Sequence, residues 1–165
     1  MIVESRLKLL GHPIHPMLVM FPLGLFVTAV IFDFADLVGG PRMLGEVAYW
    51  NIVAGLIGGV LAAAAGLVDY LAIPGGTRAK RVATSHALIN VGVMLLFAIS
   101  WLARMGTEQH VAGGGIFALQ LVALAGGGVS AWLGGELVDR LGVGVDSDAN
   151  LDAPARLETG LIKGR

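Results

Sequence analysis

The stretch from Val47 to Ile73, VAYWNIVAGLIGGVLAAAAGLVDYLAI, decides the fold. Val47 to Val68 holds no charged residue, and Pro74-Gly75-Gly76 closes the run. At 1.5 Å rise per residue, such a segment forms a helix that crosses a hydrocarbon core of roughly 30 Å. Three more blocks of the same kind flank it. The spacing predicts spans over about 16–38, 47–73, 82–103 and 114–138. The first is entered through His15 and Pro16, where proline loses nothing because its N–H would be unpaired. It carries Pro22 inside and ends at Gly39-Gly40-Pro41-Arg42.

Composition agrees. Of 165 residues, 56% are hydrophobic and 14% charged, where a soluble domain is about one-quarter charged. The mean hydropathy is +0.79, an apolar excess too large for a single soluble core. The expected fold is all-α: a membrane four-helix bundle, up-down-up-down, with both termini on one side. Residues 1–14 form an N-terminal segment and 15–140 the transmembrane domain. Residues 141–165 form a polar tail expected to be disordered or loosely docked. The apolar stretch behind the first residues is longer than a signal-peptide core and no small-residue cleavage site follows it, so it reads as a retained helix. Asp146, Asp148, Asn150 and Asp152 alternate as in half a calcium loop, but the loop glycine and closing glutamate are missing, so this is a solvated acidic stretch.

Orientation follows from basic residues near span ends. Arg6, Lys8, Arg78, Lys80, Arg81 and Arg140 fall on the side of the termini, with 78–81 read as a basic loop; Arg42 and Arg104 fall opposite. Both termini are therefore expected in the cytoplasm. A net charge of -1 and the lack of a long basic run give no signal for nucleic acid. With no cysteine, disulfides, thiolate zinc sites, iron–sulfur clusters and covalent c-type haem are excluded.

Four alternating crossings bring the start of the first span, the end of the second, the start of the third and the end of the fourth to one level. There lie His12 and His15, Asp69 and Tyr70, His86 and Asn90, and Glu136 and Asp139. Ionisable groups in or near hydrocarbon are costly and tend to mark a site. His86 and Asn90, four apart, share a helix face. The opposite level is thinner: Asp33, Asp36, Glu46 and His110. Glycines gather in the second and fourth spans, where they permit close helix approach or leave room for a flat cofactor.

Three readings follow. In the first, His15 and His86 ligate the iron of haem b in an electron-transfer protein, with His12, Asn90 and Asp69 around them. Arg78 and Arg81 then lie near the propionates. In the second, His12, His15, His86, Asp69, Glu136 and Asp139 supply ligands for a transition metal without porphyrin, in binding or transport. In the third, the polar layer is a structural clamp. No nucleophile–base pair, P-loop or metalloprotease motif is present, so a carrier or binding protein is expected rather than an enzyme. The glycine-lined faces would serve a homo-oligomer as well as the bundle.

Gly11-His12-Pro13-Ile14-His15-Pro16, continuing through Met17 to Gly24, resembles the start of a bacterial family of small four-helix membrane proteins, the domain of unknown function DUF2231. Gly66 to Tyr70 with Ile73-Pro74, Ala83 to Asn90, and Gly134 to Val145 match it further, so the resemblance covers about residues 10–145. It implies a place in the bacterial inner membrane. Some relatives resemble fusions to a Rieske-type iron–sulfur domain, and the fold is similar to four-helix b-type cytochromes. Without cysteine, this chain would need a separate iron–sulfur protein as redox partner.

Overall fold

The computed structural model describes residues 2–155. Four long helices dominate it: α1 (Ile14–Leu37), α2 (Met43–Ala72), α3 (Arg78–Arg104) and α4 (Gly114–Gly135). A π turn carries the last helix on to Arg140. All four are long and apolar enough to cross a membrane. Helix is the conformation that satisfies every backbone group within its own segment, as a bilayer requires. The helices pack as two hairpins, α1 on α2 and α3 on α4, and the hairpins meet through α2–α3 and α1–α4.

Two boundaries differ from expectation. α2 begins at Met43, and α3 begins at Arg78, so the basic residues read as a loop form the first turn of α3. The cause is Thr77, whose Oγ1 accepts from Lys80 N at 3.1 Å and caps the helix. α1 ends where Gly39 takes a φ of 93°, a conformation that favours glycine.

Ahead of α1, a two-residue strand β1 (Lys8–Leu9) pairs antiparallel with β2 (His12–Pro13). Leu10 and Gly11 turn the chain with φ of 50° and 83°, the pair of positive values a tight hairpin turn needs. This arm also ties down the start of the tail. Val3 N donates to Gly142 O at 3.0 Å, and Gly144 N donates to Val3 O at 2.7 Å. Lys8 Nζ lies 2.6 Å from Asp146 Oδ1, and Ser147 donates from Oγ and N to Glu4 Oε1 at 2.7 and 3.1 Å. The start of the tail, expected to be disordered or loosely docked, is thus hydrogen-bonded as far as Ser147, and its residues 156–165 lie outside the described residues.

Those contacts hold the Glu4 carboxyl at about 2, chiefly through the Ser147 hydroxyl and then through Lys8. A carboxylate held below its unfolded value stabilises above that value, near 4.5, and loses its effect as pH falls through the folded one. Attachment of the arm is therefore expected to be intact above pH 4.5 and to weaken from there toward pH 2. Hydrogen exchange of the Ser147 amide, corrected for intrinsic rates, checks this; equal protection at pH 6 and pH 2 would contradict it.

The apolar core lies midway along the helices, where Phe26, Ala29, Val30, Ala48, Ile52, Phe97 and Ala123 are buried. Phe26 and Phe97 lie nearly parallel across the middle, ring centroids 4.0 Å apart. Large side chains such as Met20, Phe21, Leu61, Leu88, Val122 and Trp132 point outward. In a bilayer that exposed apolar surface faces acyl chains rather than water.

Candidate functional site

Above and below the core lie two polar layers. His15 and Asp33 are eighteen positions apart on α1, roughly 27 Å along the helix axis. The layers therefore stand close to opposite faces of the hydrocarbon.

In the first layer, His15 of α1 leans on α2 and His86 of α3 leans on α4, in the same manner. His15 Nδ1 lies 2.8 Å from Ala62 O, and His86 Nδ1 lies 2.9 Å from Ser130 O. Since a carbonyl only accepts, each Nδ1 carries the proton, which leaves the lone pair at Nε2. Glycine one turn beyond the Ala62 carbonyl makes room for the His15 ring, and the matching Gly134 stands beside the His86 ring at ordinary contact distance. A methyl on Gly66 would stand 2.8 Å from His15 Cε1, and one on Gly134 would stand 3.4 Å from His86 Cε1. The two rings face each other with centroids 6.5 Å apart and planes at 86°. Asn90 Nδ2 lies 3.1 Å from His86 Nε2.

This likeness extends through the bundle. Moving 71 positions along from α1 reaches its counterpart in α3: His15 to His86, Phe26 to Phe97, Asp33 to Arg104. Moving 68 positions from α2 reaches α4: Gly58, Gly59 and Gly66 fall on Gly126, Gly127 and Gly134. The hairpins read as repeats of one topology, as in membrane proteins whose halves are related by an axis along the membrane normal. Each of the three α1–α3 pairs meets across that axis: imidazole to imidazole, ring on ring, carboxylate to guanidinium.

The other expected residues of this layer are engaged elsewhere. Asp69 anchors the arm, accepting from Ser5 Oγ at 2.9 and 2.8 Å and from Arg6 N at 2.8 Å. The groups that orient the two histidines are the carbonyls of Ala62 and Ser130, not Asp69. Arg78 pairs with Glu136 at 2.6 Å, and Arg81 Nη1 reaches Gly76 O at 3.4 Å. Lys80 Nζ sits 3.4 Å over the Tyr70 ring. Asp139 is exposed. His12 is exposed on β2 and lines a surface cleft with Asp146, Asp148 and Asn150. Among the described residues, no group of three or more His, Cys, Asp or Glu side chains could hold a metal ion.

The second layer is far more built than sequence reasoning expected. Arg104 forks onto Asp33, Nη1 to Oδ2 at 2.8 Å and Nη2 to Oδ1 at 2.9 Å, with both side chains fully buried. Arg104 also donates to Gly45 O at 2.8 Å and His110 O at 2.6 Å. Gln120 Nε2 donates to Asp33 Oδ2 at 2.8 Å and to Ser100 Oγ at 2.9 Å. Two buried acceptors, Gln120 Oε1 and Asp36 Oδ1, have no partner among the described residues. Outside the ion pair, Tyr49 stacks on His110 at 4.0 Å and accepts from Trp101 Nε1 at 2.9 Å. In the sequence Arg104 looks like the polar end of a span, and Gln120 and Ser100 do not stand out from the apolar runs around them. The spacing shared by Asp33 and Arg104 after their histidines was the signal that could have found the pair.

These features define a four-span membrane helix bundle built from two hairpin repeats, with a buried ion pair near one face and a pair of imidazoles near the other. A family model described as "Predicted membrane protein (DUF2231)" matches residues 11–147. The chain belongs to that family. No curated protein and no solved structure matches it.

Proposed function

We propose that this chain is a haem b protein of the membrane, with His15 and His86 as the iron ligands and electron transfer as its task. The arrangement of the two imidazoles carries the reading. A metal bound between two imidazoles separates their ring centres by about 6 Å, given metal–nitrogen bonds of roughly 2 Å. The observed separation is 6.5 Å. Both rings have their Nδ1 proton committed to a main-chain carbonyl, which leaves the lone pair on Nε2; that of His86 accepts from Asn90 at 3.1 Å and would have to exchange that bond for a metal. A non-haem site wants three or four protein ligands, and among the described residues no third His, Cys, Asp or Glu side chain joins these two. Haem iron draws its remaining ligands from the porphyrin, so two imidazoles suffice. Such a group supplies reversible one-electron chemistry; the chain contributes the ligands, their tautomer and their separation.

The basic residues support an orientation with both termini in the cytoplasm, and in a bacterium the inner membrane as the location. Arg104 neutralises buried Asp33 and so is no loop cation, which leaves Arg42 alone on the opposite side. A separate redox partner, such as an iron–sulfur protein, belongs to this reading, since these 165 residues hold no cysteine to bind such a cluster themselves.

The test is the visible spectrum of the detergent-purified protein, oxidised and then dithionite-reduced, after expression with ample haem. A Soret band at near one haem per chain, absent from the double variant His15→Ala/His86→Ala, is expected. A colourless preparation with full helical content would overturn the reading. Zinc, copper or iron found in that colourless sample would favour a metal site without porphyrin.

A further inference from the structure

The hairpins are repeats, so a surface feature that one carries and the other lacks has a cause of its own. On α3, Arg78, Arg81, Ser85 and Leu88 follow one another at three, four and three positions and share one face, and all four are exposed. Arg78 joins that face to α4 through its 2.6 Å bridge to Glu136. Trp132, one turn before Glu136, is exposed beside it. In the first hairpin the matching helical positions are Ile14 and Met17 on α1 and Ala64 and Val68 on α2, without a hydroxyl or a charge. In repeat register, α3 also begins two turns earlier than α1. Arg78 and Arg81 thus stand on a stretch of helix that the first hairpin does not have.

Depth sorts these groups. Arg81 lies five positions before His86, about 7 Å farther out along the helix and so at the level of lipid headgroups. Trp132, two positions past Ser130, lies close to the level of His86, and Leu88 lies deeper. The polar groups at the rim have bonding capacity to spare. Arg81 makes one long hydrogen bond, 3.4 Å to Gly76 O, and the Ser85 hydroxyl has no partner among the described residues. Lys80 turns the other way, donating to Tyr70 O at 2.7 Å. Arg78, Arg81 and Arg140 stand against Glu136 and Asp139, which leaves one positive charge.

We propose that this face of α3 and α4 seats one anionic phospholipid, its phosphate on Arg81 and Ser85 and its glycerol and acyl chain along Trp132 and Leu88. A guanidinium forks onto two phosphate oxygens, and a serine hydroxyl donates to a third. The single surplus charge matches a singly anionic headgroup, whereas a zwitterionic headgroup brings its own cation to the arginines. Exposed apolar side chains directly inward of the cations favour a lipid over free phosphate, which would leave them uncovered. The site is independent of what the two imidazoles bind.

Native mass spectrometry of the full-length protein, released from neutral detergent, measures the occupancy. Dioleoylphosphatidylglycerol and dioleoylphosphatidylcholine are the probes, titrated in turn. The wild type is expected to take up one phosphatidylglycerol at least about fivefold more tightly than phosphatidylcholine. Arg81→Gln is expected to remove that preference, a loss of about fivefold for phosphatidylglycerol alone. Ser85→Ala, with an expected loss of about threefold, stands in should Arg81→Gln not fold. Arg42→Gln, which removes an exposed cation of the opposite side, is expected to leave the first adduct unchanged. Equal weakening by Arg81→Gln and Arg42→Gln would show a general attraction to cations and overturn the site. A wild type without preference between the two lipids overturns it as well. Inorganic phosphate that displaces the lipid at constant ionic strength would make free phosphate the ligand and overturn the lipid assignment.

Discussion

Arg104→Met is expected to destabilise the bundle by about 3–5 kcal/mol. The Arg104 guanidinium makes four hydrogen bonds, two to Asp33 and one each to the carbonyls of Gly45 and His110. Removing it leaves the Asp33 carboxylate buried in a low-dielectric interior, with Gln120 as its remaining donor. The cost is less the lost attraction than the uncompensated charge left behind. The double variant Asp33→Leu/Arg104→Met removes both charges and is expected to recover most of the loss, because a buried pair is often replaceable by apolar side chains. Unfolding in bicelles followed by circular dichroism measures all three proteins. A single variant that costs under about 1 kcal/mol would show that the unfolded helices find equivalent polar partners within the membrane.

Phe97→Ala comes next, with an expected loss of about 3–5 kcal/mol. Phe97 is completely buried and lies face to face with Phe26. Its neighbours cannot close the gap, since Gly55 already lets Phe26 press against the α2 backbone. A methyl on Gly55 would stand 2.6 Å from Phe26 Cε1. Phe21, 60% exposed toward lipid, is the control. Phe21→Ala is expected to change stability by under about 0.5 kcal/mol, because its ring leaves one apolar medium for another. Equal losses for the two would mean that the core is not where Phe97 sits.

Some of the candidate site was legible before any coordinates. His15 and His86 were found because each is an ionisable group beside a long apolar run. Asp69 and Glu136 share that signal, yet they serve the arm and Arg78. The rule finds costly groups without distinguishing an anchor from a ligand. Arg104 does end α3, as a charge closing an apolar block suggests, but whether such a side chain turns inward depends on what another helix offers. Gln120 does not stand out in the sequence, since one uncharged polar residue barely lowers the hydropathy of its span. The repeat was present throughout in the eleven-residue spacing from His15 to Phe26 and from His86 to Phe97. It becomes conspicuous once the pairs are seen touching.

The sequence by itself determined that there are four helices and about where each stops. That follows from run length against bilayer thickness, and from glycine and proline where backbone groups can leave the helical ladder. Only the tertiary structure decided which side chains meet. These helices are apolar on all sides, so no stripe in the sequence says which face turns inward. The inward faces are set by close approach at Gly55 and Gly66, and by the need of a buried carboxylate at Asp33 for the guanidinium of Arg104.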